Sequence, residues 1–243
     1  MRRRLLVLAA LLVGATLSSG GEPHLDYAVD VDGALYAVDL ENLTTRRLGH
    51  IRAGDDAPVL GDLVATPDGF LYGISTTSIY RIDLVDTTLS TKVGDHGLVN
   101  PYGVGLGNDG QVYAMTSDGR LFVIDPATAR SHEVGALGGG FVASGDLAVM
   151  NDVVYASVKD PARREHLVTV DPATGAACTI ALFTDVVTNA PISNVFGLVC
   201  SKGILYGLTS TGAIMRVNPT NGRCTILTNT GISWWGATEY LRL

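Results

Sequence analysis

Charge is scarce in this chain. Asp, Glu, Lys and Arg together make up 17% of its 243 residues, against 47% for apolar types. That balance excludes a disordered, self-repelling segment. Cysteine is scarcer still, with only Cys178, Cys200 and Cys224. Three cysteines cannot staple a small scaffold, and their spacing matches no zinc pattern. Apolar residues never recur at a sustained period of 3.6, which excludes a helical bundle. No run of about 20 apolar residues exists, so no helical membrane span is expected. Neither a G-x-S-x-G turn nor a G-x-G-x-x-G between strand and helix occurs; the glycines at 138–140 read as loop. Basic residues form no stripe, and the formal charge is −7. The electrostatic term that drives nucleic-acid binding therefore has the wrong sign.

What is present begins with the first twenty residues. Arg2, Arg3 and Arg4 precede an apolar run over 5–13, and Thr16, Ser18, Ser19 and Gly20 are small. A basic start, a short apolar stretch and small residues read as a secretory leader over 1–20. Its removal takes three cations with it and makes the remaining domain, 21–243, more acidic. The domain is expected outside the cytoplasm, secreted or periplasmic, as a monomer without contact to membrane or nucleic acid. An odd thiol count in an exported chain leaves at least one cysteine unpaired. All three are expected to be buried and inert.

Gly is abundant, at 29 residues, and sits with Asp, Asn and Pro between short runs of Val, Ile, Leu, Thr and Tyr. That is the pattern of an all-β chain with many turns. The runs repeat. Tyr27, Tyr72, Tyr113, Tyr155 and Tyr206 mark five copies separated by 45, 41, 42 and 51 residues. The copies around Tyr27 and Tyr113 align without a gap over fifteen residues. Each unit carries four strand signals, which is the size and content of one blade of a β-propeller. The third strand ends in Asp39, Asp83, Asp125, Asp171 or Asn218. These side chains look like a site but sit where a turn needs an acceptor, three of them directly before Pro. They are read as turn formers.

The chain ends set the topology. The unit around Tyr27 has no first strand of its own, and the C-terminal Trp235-Gly236-Ala237 matches Phe196-Gly197-Leu198, an inner strand. The expected fold is an all-β, five-bladed β-propeller with four-stranded antiparallel blades. It is closed by pairing the C-terminal strand into the first blade, which removes exposed sheet edges.

The longer connections, 51–60, 137–144, 159–166 and 183–194, all belong to one face, the face where each inner strand begins. Length variation on one face of a repeat array marks the binding face. Asp62, Tyr102, Asp146, Phe196 and Trp235, one per blade, are expected to ring the channel mouth there. Aromatic faces and carboxylates suit a small polar ligand. Asp62 and Asp146 come from non-adjacent blades. As a facing pair they could perform acid–base hydrolysis or, with solvent, hold a divalent cation. His96 and His166 are read as solvated loop side chains.

The LYG and VYA strands followed by V-D-P-x-T-G resemble the superfamily of exported bacterial propellers that includes quinoprotein-like, NHL-like and gluconolactonase-like repeats. The resemblance covers nearly the whole domain and implies architecture. Quinoproteins carry a tryptophan after the T-G turn and eight blades, and this chain has neither. Gluconolactonase-like propellers have six blades and a channel metal held by acidic and Asn residues; Asp62 and Asp146 are similar, while the blade count departs. The functional expectation is a secreted, non-enzymatic binding or interaction module for a protein, glycan or small polar ligand at the channel mouth. No catalytic residue or cofactor is assigned. The alternative is a channel-mouth hydrolase or lactonase, metal-assisted or working through two carboxylates.

Overall fold

The computed structural model describes residues 25–240. The expected leader over 1–20 lies outside them. Strands β1 (Asp26–Asp30), β2 (Ala34–Asp39) and β3 (Thr44–His50) open the chain. The second blade is β4 (Asp62–Ala65), β5 (Leu71–Ile74), β6 (Ser78–Ile82) and β7 (Thr91–Asp95). The third is β8 (Pro101–Leu106), β9 (Val112–Thr116), β10 (Arg120–Ile124) and β11 (Ser131–Ala136). The fourth is β12 (Val142–Met150), β13 (Val153–Lys159), β14 (Glu165–Val170) and β15 (Ala177–Leu182). A two-residue strand, β16 (Thr184–Asp185), precedes the fifth blade of β17 (Val195–Ser201), β18 (Ile204–Thr209), β19 (Ala213–Val217) and β20 (Arg223–Asn229). The last strand, β21 (Trp234–Thr238), returns to the first blade.

The five sheets are antiparallel meanders, and the first has the order β21-β1-β2-β3. Ala28 pairs with Ala237, so the C-terminal strand supplies the inner strand that the first unit lacks. The sequence expectation of a five-bladed propeller closed by its own ends holds. The fifth blade gains an edge when β16 pairs parallel with β20.

The core is divided. Five clusters of buried side chains each fill the wedge between two neighbouring blades. The closing wedge packs Trp234, 0% exposed, edge-on against Tyr36 at a ring distance of 5.2 Å. The marker tyrosines belong to this packing, one per wedge: Tyr72, Tyr113 and Tyr206 are buried, and Tyr27 and Tyr155 pack at the margins.

Each blade also has one register shift between its third and fourth strands. The extra residues are Leu48, Val93, Val134, Ile180 and Leu227. All five are apolar and half-buried, and each packs against a wedge cluster. A bulge turns one side chain of a mostly solvated strand back toward the interior.

The turn acids act as expected. Asp39, Asp83, Asp125 and Asp171 each accept a backbone N–H two residues on, and Asn218 does the same through its amide oxygen. The cysteines differ from expectation. All three are free, but only Cys224 is buried, whereas Cys178 is exposed and Cys200 half-buried. Cys178 lies on the outer strand β15, where it and the adjacent Thr179 are exposed.

Candidate functional site

The channel is lined by β21, β4, β8, β12 and β17, and register defines levels along it. Leu63, Val104, Leu147, Leu198 and Ala237 pair with the residue that follows each marker tyrosine. One residue earlier stand Asp62, Gly103, Asp146, Gly197 and Gly236. One earlier again stand Gly61, Tyr102, Gly145, Phe196 and Trp235. Two blades therefore read Gly-Asp and three read aromatic-Gly. The five sequence-predicted residues belong to two different levels.

The lower level is a closed floor. Asp62 and Asp146 are both 0% exposed. Asp62 Oδ1 accepts the N–H of Leu63 at 2.8 Å, and Oδ2 accepts that of Val104, in the next blade, at 2.7 Å. Asp146 Oδ1 accepts Leu147 N–H at 2.6 Å. Its Oδ2 accepts Leu198 N–H at 3.0 Å and Ala237 N–H at 3.2 Å, from the remaining two blades. The two carboxyls also hydrogen-bond to each other across the axis. All five inner strands are joined at this point, each by a carboxyl or an N–H. Gly236 presses so closely on Asp62 that a Cβ there would overlap its carboxyl.

Burial raises both acids well above the usual carboxylate range. The repulsion between the two buried carboxyls keeps a proton on the pair, which titrates as a unit. Two acids in this state do not fit the roles proposed from sequence. Glycoside hydrolysis needs carboxyls about 5–9.5 Å apart with a sugar between them. A divalent cation needs free oxygen lone pairs, and here five N–H dipoles occupy them. Among the described residues, no group of three potential metal ligands gathers elsewhere.

The upper level is the mouth. Tyr102, Phe196 and Trp235 are each the extra residue of a β-bulge in an inner strand. Bulges re-aim side chains. These three turn aromatic rings into a pocket of about 660 Å³ above the acid pair. Gly61 and Ser144 share the lining, together with Lys159, Arg163 and Asn194. The Phe196 and Trp235 rings meet edge to face at 6.4 Å, and Lys159 Nζ lies 5.3 Å from the centre of the Phe196 ring. The structure thus brings Tyr102, Phe196 and Trp235 together as expected and places Asp62 and Asp146 beneath them, away from the lining.

Sequence reasoning did not single out Lys159, Arg163 or Glu165. The Glu165 side chain is fully buried. Its Oε1 accepts the hydroxyls of Ser144 and Ser157 and the N–H of Val195, each at 2.9 Å. Its Oε2 accepts Asn194 N–H at 2.6 Å and stands 4.0 Å from Lys159 Nζ. Glu165 therefore fixes the wall that carries Ser144, Lys159 and Asn194. A glutamate in the third strand of one blade only, against apolar partners elsewhere, was the available signal.

The histidines are not the solvated loop groups expected. His96 is 5% exposed. Its Nε2 donates to Ser75 O at 3.1 Å, and its Nδ1 accepts Leu98 N–H at 3.0 Å. Burial lowers its pKa. His166 lies on β14 with Nε2 3.1 Å from Asp160. A second, smaller cavity of about 210 Å³, walled mainly by Leu106, Leu147, Leu198, Val199 and Cys200, opens below the floor on the opposite face.

No protein-family model matches the chain, and no curated protein matches it by sequence. Solved structures do. The gluconolactonase XC5397 of Xanthomonas campestris superposes with a TM-score of 0.54 at 13% identity, covering 88% of this chain and 80% of that one. A symmetrical protein studied for its de novo evolutionary emergence gives 0.51 at 17% identity, covering 88% and 93%. The PQQ-bound aldose sugar dehydrogenase of Streptomyces coelicolor gives 0.50 at 13%, covering 84% and 78%. The likeness is one of fold. The resemblance to gluconolactonase-like and quinoprotein-like propellers holds at that level.

Proposed function

We propose that this chain is a secreted, monomeric binding module that holds a small polar ligand, such as a sugar ring of a glycan, in the pocket at its channel mouth. One observation carries the reading: three inner strands each bulge at an aromatic residue, and the three rings converge over a sealed polar floor. A bulge interrupts the ladder, and three in one place serve the pocket rather than the sheet. Rigid aromatic faces beside hydroxyl and amide groups suit a ring with both apolar and polar edges. The hydrolase alternative needs Asp62 to meet substrate, and Asp62 is spent on holding strands together. Export rests on the sequence over 1–20.

The test is a panel of sugars and lactones, with and without Ca²⁺, followed by tryptophan fluorescence and by product analysis. Binding without turnover is expected. Trp235→Ala and Tyr102→Ala should each weaken it about tenfold, the loss of one aromatic contact of roughly 1.4 kcal/mol. Unchanged affinity in both variants would remove the site. Turnover that Asp62→Asn abolishes would restore the enzyme.

A further inference from the structure

The loop that carries Arg163 departs from its own repeat. In four blades the hairpin between second and third strands has the same turn. The N–H of Gly33, Gly119, Gly212 or Arg163 donates to the carbonyl three residues back, on Asp30, Thr116, Thr209 or Asp160. The next N–H donates to the side chain of that same residue in every case. The third turn residue has φ of +79°, +78° and +92° where it is glycine and +64° where it is Arg163. Left-handed backbone is natural to glycine and costly to a residue with a Cβ. The fourth blade alone places a long cation there.

The loop is also anchored so that one of its two arginines stays available. Asp160 Oδ2 takes Arg164 Nε at 2.8 Å and Nη2 at 2.7 Å. Burial would raise Asp160, but the N–H and guanidinium of Arg164 together with His166 pull it down to about 2. Arg164 is therefore committed. Arg163 is exposed, lines the mouth pocket and makes no ion pair among the described residues. Across the lining, Lys159 is the other charged group, held 3.5 Å from Asn194 Oδ1. The negative charge of Glu165, behind Lys159, is already met by four donors.

Resting on the channel-mouth reading above, we infer that the pocket selects an anionic ligand, a carboxylated sugar ring, whose carboxylate is taken by Arg163 and Lys159 while the ring lies on Phe196, Trp235 and Tyr102. A guanidinium matches a carboxylate with two parallel N–H donors, and an ammonium adds a point charge. Ser117, Ser193 and Asn194 in the lining supply partners for ring hydroxyls.

The probe pair is glucuronate and glucose, titrated against the full domain by calorimetry and tryptophan fluorescence. Glucuronate should bind about tenfold more tightly, with a preference that falls as salt rises. Arg163→Gly restores the residue its sister blades carry, so it should melt at or above the parent temperature while losing most of the preference. Equal binding of both sugars, lost together in Trp235→Ala, would overturn the anionic selection and leave the pocket standing. An Arg163→Gly variant that keeps the preference would overturn it too, as would a variant that melts well below the parent. Binding of neither sugar would also overturn it, and the broader panel then decides the pocket itself.

Discussion

At the scale of single residues, buried acids dominate the behaviour to be expected. Asp26, 1% exposed on β1, is raised to about 7, first by burial and then by the nearby Glu239 and Asp39 charges, against a hydrogen bond from Ser201. Asp62 and Asp146 are raised as well, for the reasons given above. A carboxyl whose folded pKa exceeds its unfolded value near 4 holds a proton that the unfolded chain has released. Its contribution to stability is complete below about pH 4 and is lost as pH rises through the folded value. Thermal melts should therefore show a fold more stable at pH 5 than at pH 8. Asp26→Asn should remove the part of that slope running from about pH 4 to about pH 7, a difference of a few kcal/mol. Asp62→Asn removes one of the two raised floor acids and should lessen the remainder. A melting temperature that rises from pH 5 to pH 8 would contradict the buried, protonated state of these acids.

At the scale of the strand, bulges do two jobs. In the outer strands they return Leu48, Val93, Val134, Ile180 and Leu227 to the wedges. In the inner strands they lift Tyr102, Phe196 and Trp235 into the mouth. The first set is a stability device. Val134→Asp would place a charge against a cluster containing Leu137, Val168 and Val170. It should cost about 2–4 kcal/mol, measured by urea unfolding, whereas the same change at exposed Val85 should cost within about 0.5. The bulges also mark where the sequence stops being readable. Repeat register, turn acids and the closing strand were legible because every unit repeats the same strand-and-turn period around its tyrosine. One inserted residue breaks that period. Asp62 and Tyr102 then look equivalent in sequence while standing one level apart. The direct bond between Asp62 and Asp146 was not legible either, since no local pattern sets the width of a channel floored by Gly103, Gly197 and Gly236. Arg163 was legible in principle, as an arginine in a column of glycines.

At the scale of the whole molecule, stability is distributed over five wedges of similar size, with no central core to protect. Outside the channel floor each blade packs on its neighbours, as in other repeat arrays, but the ring adds a constraint that an open array lacks. Removal of 232–243 takes away β21, Trp234 and one arm of the floor together. The truncated chain should lose its single cooperative denaturant transition and give a broad or multiphasic one, with Tyr36 and Val29 exposed to solvent. A sharp single transition with an unchanged midpoint would show that closure contributes nothing.

The acid pair carries one more consequence, for kinetics. Its last donor, the N–H of Ala237, and its first acid, Asp62, lie far apart along the chain. A nascent chain can stack blades two to five in order, but must bury Asp62 and Asp146 without the Ala237 N–H until that strand has been made. Completion of the hub is thus a late, long-range event, and bonds made that late act mainly by slowing unfolding. A newly made molecule should pass through a protease-sensitive interval that ends when β21 docks, and thereafter resist digestion through a low opening rate.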